Sequence, residues 1–125
     1  MLKIDRVNAY YGRTQVLHNI SFEVGRGEIV AILGANGAGK TTTLKVISGQ
    51  LKNYNGLISF CGREINGTPS DRVVELGISH VPEGRRLFGS MSVMDNLQLG
   101  AYRRKGASKA EIQRDLDLIF EIFPT

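Results

Sequence analysis

Eight consecutive residues, Gly34-Ala35-Asn36-Gly37-Ala38-Gly39-Lys40-Thr41, carry the spacing Gly-x-x-x-x-Gly-Lys-Thr. The spacing has a mechanical reason. Glycine tolerates positive φ, so the backbone can curl until successive N–H groups converge on one anion. A helix opening at the end of the loop adds unpaired N–H groups and the positive end of its dipole to the same point. Lys40 then reaches the β- and γ-phosphates of a nucleotide, the Thr41 hydroxyl faces Mg²⁺, and Thr42 approaches the α-phosphate through its N–H or side chain. The chemistry implied is binding of a purine nucleoside triphosphate together with Mg²⁺. The competing reading is a glycine-rich turn with an incidental lysine. That reading asks for no strand before the loop and no helix after it, and both are legible here.

Other residues carry weaker signals. Tyr10 and Tyr11 precede Gly12, and a tyrosine face can stack on a purine base, although a tyrosine near a strand end is commonly just packed. Glu83, in Val81-Pro82-Glu83-Gly84, follows an expected strand end, where α/β folds place ligand groups. His18 and His80 have no neighbour in sequence that suggests catalysis, and structural roles are expected of them. The single cysteine, Cys61, can form no internal disulfide and has no companion for a metal site; a small buried hydrophobe is the expectation.

The elements that must position the loop follow from periodicity. Residues 20–24 alternate Ile20, Phe22 and Val24 with Ser21 and Glu23, the pattern of a strand with one buried face and thus of an antiparallel edge region. Residues 28–33 form a short apolar run rich in β-branched side chains, as expected of a central parallel strand covered on both faces. After the loop, Leu44, Ile47 and Leu51 fall at helical spacing and predict a helix from about Lys40 with that face toward the sheet. Residues 56–61 and 78–81 read as strands. Pro69-Ser70-Asp71 followed by 72–76 reads as a short helix closed by Gly77. The alternation gives an α/β fold: a phosphate-loop core with an incomplete parallel sheet and helices, plus an N-terminal antiparallel β region. Residues 92–102 and 108–123 then read as two helices with no strand between them. Ser108 and Glu111 form a capping box, and Ile112, Leu116, Ile119, Phe120 and Phe123 mark an apolar face.

Composition sets bounds on this reading. The 125 residues are 42% hydrophobic and 22% charged with a formal charge of +4, ordinary values for one globular domain. Basic residues are dispersed apart from Arg85-Arg86 and Arg103-Arg104-Lys105, with no stripe of interleaved aromatics, so no nucleic-acid partner is expected. The apolar runs are too short to span a bilayer and the N-terminus lacks the layout of a secretory signal, so a cytosolic protein is expected.

Taken together, Tyr10-Tyr11-Gly12, the run Val16-Leu17-His18-Asn19-Ile20-Ser21-Phe22, the loop 34–41 and Val81-Pro82-Glu83 make the chain resemble the N-terminal half of an ATP-binding subunit of an ABC transporter. Pro82-Glu83-Gly84-Arg85-Arg86-Leu87-Phe88 and Ser92-Val93-Met94-Asp95-Asn96-Leu97 look most like the branched-chain amino acid importer branch and its LivF-like subunits. The resemblance implies that Tyr11 stacks on adenine, that Val16 flanks base or ribose, and that Glu83 replaces a glutamine touching Mg²⁺ and the attacking water. It thus joins Lys40 and Glu83 in catalysis, Thr41 and Glu83 at the metal, and Gly34, Ala35, Asn36, Gly37, Ala38, Gly39, Lys40, Thr41 and Thr42 around ATP. It further implies a first part, 1–90, with the β region and phosphate-loop core, and the start of a helical subdomain over 91–125. The signature motif, the acidic Mg²⁺-holding strand with its glutamate, and the switch histidine lie beyond Thr125 in that family, so a fragment of a longer protein, inactive alone, is expected. Expected partners are transmembrane permease subunits, a second ATP-binding subunit (the same or related) and, indirectly, an extracytoplasmic solute-binding protein, with the protein peripheral on the cytoplasmic membrane face. Another phosphate-loop enzyme, such as a small kinase or GTPase, and a non-catalytic nucleotide-binding domain are the alternatives.

Overall fold

Strand β1 (Leu2–Tyr11) and strand β2 (Thr14–Val24) form an antiparallel hairpin that closes between Tyr11 and Thr14 through Gly12, at φ 58°. The computed structural model describes residues 1–84, 86–104 and 106–124. Strand β3 (Tyr54–Phe60) pairs antiparallel with the other edge of β1, and the two-residue strand β4 (Arg63–Glu64) pairs with β3, giving the order β2-β1-β3-β4.

The inward face of β1 carries Ile4, Val7 and Ala9, all buried. Strict alternation cannot put positions 4 and 7 on one face, because strand side chains repeat every two residues. A bulge reconciles them. Asp5 and Arg6 stand opposite the single residue Ser21, with Arg6 at φ 49°. The Arg6 N–H, displaced from the ladder, donates to Ser21 Oγ at 2.8 Å. On the β3 side, Gly56, at φ 97°, opposes the same bulge, and a Cβ there would meet the Arg6 carbonyl oxygen at 2.5 Å. A second bulge, on β2 with Asn19 at φ 50°, flips parity between Leu17 and Ile20, so Leu17, Ile20 and Phe22 all reach the core. The Asn19 N–H is satisfied by Asn8 Oδ1 at 2.8 Å.

Helix α1 (Lys40–Ile47) lays Val46 and Ile47 into the cluster formed by Ile4, Val7, Ala9, Leu17, Ile58 and Ile65. Its buried face is Thr42, Thr43, Val46 and Ile47; Leu44 is half exposed, so the expected Leu44-Ile47-Leu51 face is displaced by one position. The helix ends at Ser48, and Leu51 reaches the core from the following loop. Helix α2 (Ser70–Leu76) closes at Gly77, φ 106°, as its sequence implies.

Two expectations are corrected. Residues 28–33 and 78–81 belong to no ladder; Ile29 is 96% exposed, Leu33 90% and Val81 89%. A parallel strand covered on both faces requires hydrogen-bonded neighbours and layers on either side, which local sequence cannot supply. Cys61 is exposed rather than buried. It sits with Gly62 at φ 50° and 79° in the two-residue turn joining β3 to β4, where both central residues need positive φ.

These elements belong to one unit, Met1–His80; residues 81–125 form a second. The second unit contains helix α3 (Val93–Gly100) and helix α4 (Lys109–Ile122), each opened by a capping box, Ser92 with Asp95 and Ser108 with Glu111. Glu111 accepts from the Ser108 N–H at 2.7 Å and from its hydroxyl at 2.9 Å, which holds its carboxyl below the ordinary carboxylate range. Arg104 pairs with Asp115. Of the expected apolar face of α4, Leu116 is buried and Ile112 and Ile119 half-buried, while Phe120 and Phe123 are exposed.

Candidate functional site

The glycine-rich loop leads directly into α1. Gly37 and Gly39 adopt φ 86° and 91°, and the Ala38 N–H bonds the Ala35 carbonyl at 3.1 Å, which curls the chain back on itself. Gly39 is the N-cap of α1, with no side-chain cap and no acidic residue in the first turn. An uncapped N-terminus leaves its N–H donors for a ligand, and the first turn carries no carboxylate to repel an anion. The Lys40 ammonium folds back over the loop and donates to the carbonyls of Gly34 at 2.7 Å and Ala35 at 2.8 Å. One cation is therefore held against the loop backbone, on two of its carbonyls.

Packing fixes where this loop sits. A Cβ on Gly39 would lie 2.5 Å from Leu17 Cδ2 and 3.4 Å from the Val16 carbonyl oxygen, so the loop rests directly on β2. Val16 is the extra residue at an irregularity of β2, between the pairs Ala9 with Leu17 and Tyr10 with Gln15. Thr43, 5% exposed, donates its hydroxyl to the Gly39 carbonyl at 3.0 Å and serves the helix start rather than a ligand. Thr42 is buried, whereas Thr41 is exposed in the first turn of α1.

Tyr11 ends β1 and is 45% exposed. The Lys45 ammonium lies over its ring, 5.8 Å from the centroid. The same corner is tied down by the Tyr10 N–H to the Asn53 carbonyl at 2.9 Å and by Asn53 Nδ2 to the Gly12 carbonyl at 3.2 Å. Lys45 carried no signal in the sequence, because its relation to Tyr11 exists only once β1 and α1 are side by side.

Glu83 is exposed and lies in the second unit, where its carbonyl accepts from Arg86 Nε at 3.4 Å. Arg85 lies outside the described residues. No group of three or more His, Cys, Asp or Glu side chains that could hold a metal occurs among the described residues. A hard cation at the loop would instead use the Thr41 hydroxyl, nucleotide oxygens and water, a donor set that suits Mg²⁺. His80 Nδ1 hydrogen-bonds Gln50 Nε2 at 2.9 Å, and no described residue links it to the loop chemistry.

A family model described as ABC transporter matches residues 17–121. The high-affinity branched-chain amino acid transport ATP-binding protein BraG of Pseudomonas aeruginosa is 42% identical over 124 residues, 99% of this chain and 52% of that protein. The probable branched-chain amino acid transport ATP-binding protein LivF of Archaeoglobus fulgidus is 31% identical over 99% of this chain and 51% of its own. A sulfate/thiosulfate import ATP-binding protein of Photorhabdus laumondii is 36% identical over 97% of this chain and 33% of its own. Among solved structures, an ATP-binding subunit of an ABC transporter superposes with a TM-score of 0.80 at 32% identity, over 96% of this chain and 49% of that one. The dimeric post-hydrolysis state of an ATP-binding cassette bound to ADP and Pi shares the fold, with a TM-score of 0.75 at 24% identity over 91% of this chain. The chain spans about half the length of the two branched-chain relatives and about a third of the sulfate/thiosulfate one.

Proposed function

Because this chain belongs to the ABC transporter family, we propose that it is part of an ATP-binding subunit that grips MgATP and powers import of branched-chain amino acids. The observation that carries the reading is the loop itself: two left-handed glycines, an uncapped helix start, and Lys40 held against the loop on the Gly34 and Ala35 carbonyls.

In this reading the amides of 35–41 and the Lys40 ammonium cradle the β- and γ-phosphates. Thr41 gives a hydroxyl to Mg²⁺ and Thr42 approaches the α-phosphate. Mg²⁺, held there by the Thr41 hydroxyl, would supply charge neutralisation to the phosphates. Tyr11 stacks on adenine and Val16 borders the ribose or base. Glu83 offers a carboxylate to the metal and to the attacking water, in place of the family's glutamine. Activation of that water is assigned to a glutamate further along the parent protein, so the 125-residue piece alone binds without turning over. The parent protein pairs with a second ATP-binding subunit and works against a transmembrane permease on the cytoplasmic membrane face, served by an extracytoplasmic solute-binding protein. No helix among the described residues is long and apolar enough to cross a membrane. The branched-chain cargo rests on the higher identity to BraG, 42% against 36% for the sulfate/thiosulfate import ATP-binding protein.

The test is calorimetric titration of the full-length protein with MgATP, with GTP as competitor, for the native protein and Lys40→Ala. Tighter binding of ATP than GTP, weakened in Lys40→Ala, supports the reading; affinity indifferent to Lys40 overturns it. Uptake of radiolabelled leucine by cells lacking and regaining the gene tests the cargo.

A further inference from the structure

We propose that Lys45 is a positioning residue for nucleobase binding: its ammonium backs one face of the Tyr11 ring and presents the other face to the base. The inference rests on the assignment of Tyr11 to the base, made above, and adds a residue and a mechanism to it. A tyrosine at the end of an edge hairpin, 45% exposed, has rotational freedom unless something holds it. Here the Lys45 ammonium lies 5.8 Å from the ring centroid, within cation–π range. Lys45 comes from α1, so the helix backs one face of the ring, while Tyr11 as a whole stays 45% exposed.

Sharing one helix gives the contact a second consequence. Lys40 and Lys45 are five residues apart on α1, roughly 7.5 Å along the helix axis at 1.5 Å per residue. The helix start that meets the phosphates and the side chain that sets the aromatic plane are therefore parts of one rigid rod. The opposite end of the contact is also constrained, because the Tyr10 N–H and the Gly12 carbonyl are both bonded to Asn53, immediately before β3. Base plane and phosphate cradle are thereby held at a fixed separation, which discriminates a nucleotide from a bare polyphosphate.

The test uses the full-length protein and two probes, ATP and inorganic triphosphate, in titrations of Lys45→Met, Lys45→Arg, Tyr11→Ala and the double variant Tyr11→Ala/Lys45→Met. Lys45→Met keeps an apolar stem and removes the charge. It should weaken ATP about two- to five-fold, leave triphosphate binding unchanged, and have no further effect once Tyr11 is gone. Lys45→Arg should restore ATP affinity. Equal weakening of both probes would overturn the proposal, as would unchanged ATP affinity or tighter ATP binding, the last because it would put Lys45 on the base's own face. If Tyr11→Ala itself leaves ATP affinity unchanged, the base assignment fails first and this inference with it. Weakening by Tyr11→Ala without weakening by Lys45→Met sinks the Lys45 role alone. Circular dichroism of each variant reports folding, and Lys45→Arg provides the second reading should Lys45→Met lose structure.

Discussion

Replacing Gly39 with alanine asks two things of the structure at once, and their costs can be separated. The backbone at φ 91° is one that L side chains rarely adopt, which costs about 1–2 kcal/mol. The new methyl would also stand 2.5 Å from Leu17 Cδ2 and 3.4 Å from the Val16 carbonyl. Leu17 is 2% exposed and packed in the core, so the overpacking adds about 1–3 kcal/mol. The sum is about 2–5 kcal/mol, a large share of the 5–15 kcal/mol typical of a folded domain. Gly37 is the internal control, since it has φ 86° and a Cβ there meets nothing within 4 Å. Gly37→Ala should therefore show only the backbone part, about 1–2 kcal/mol. Urea unfolding of the full-length protein, native against Gly39→Ala, Gly37→Ala, Leu17→Ala and Gly39→Ala/Leu17→Ala, measures these differences. Trimming Leu17 removes the obstructing carbon, so the double variant should be more stable than the sum of the single losses implies. Equal losses at Gly37 and Gly39, together with strict additivity in the double variant, would refute the packing of the loop on β2.

Gly56→Ala should be at least as damaging as Gly39→Ala. Its φ is 97° and the obstructing atoms are the Arg6 carbonyl and Val7 Cα, backbone that cannot swing aside; urea unfolding reads the loss. Steady-state hydrolysis by the isolated 125-residue piece should be absent, and Lys40-dependent turnover in a phosphate-release assay would contradict the proposed division of labour. Glu111 has a folded-state pKa below its unfolded value, so its contribution to α4 is fully present above the ordinary carboxylate range and is lost as pH falls through the lowered value. Protection factors at the first turn of α4, taken against the intrinsic exchange rate at each pH, should fall on acidification through that window for the native protein, and Glu111→Gln should flatten the response.

What could be read without coordinates was what depends on local spacing. The phosphate loop declares itself because its chemistry needs glycines, a lysine and a threonine within eight positions. Helix α4 was legible from Ser108, Glu111 and a 3.6-residue apolar period, and the Ser92-Asp95 box obeys the same logic. Strand β1 was hidden because the Arg6 bulge moves the inward face from even to odd positions, so Ile4, Val7 and Ala9 fit no single period. Residues 28–33 have the composition of a buried parallel strand, but ladder formation is a property of neighbours rather than of the segment. Cys61 departs from the expectation because composition ranks cysteine as buried, while its place at the first positive-φ position of a tight turn puts it in solvent. Tyr11 was visible as an aromatic with two possible fates; Lys45 over its ring was not, since the contact joins residues distant in sequence.

The bulge at Arg6 also sets what kinds of change this sheet can absorb. Deleting that one residue would alter no core side chain, yet it would turn either Ile4 or the Val7-Ala9 pair toward water and leave Ser21 and Gly56 facing a partner that no longer needs them. Three strands are thus counted against one another, and a length change in any of them is viable only with matching changes in the others. The N-terminal sheet should accept many substitutions and almost no insertions or deletions, a contrast that a library of single-codon deletions across residues 2–24 and 54–60 would display directly.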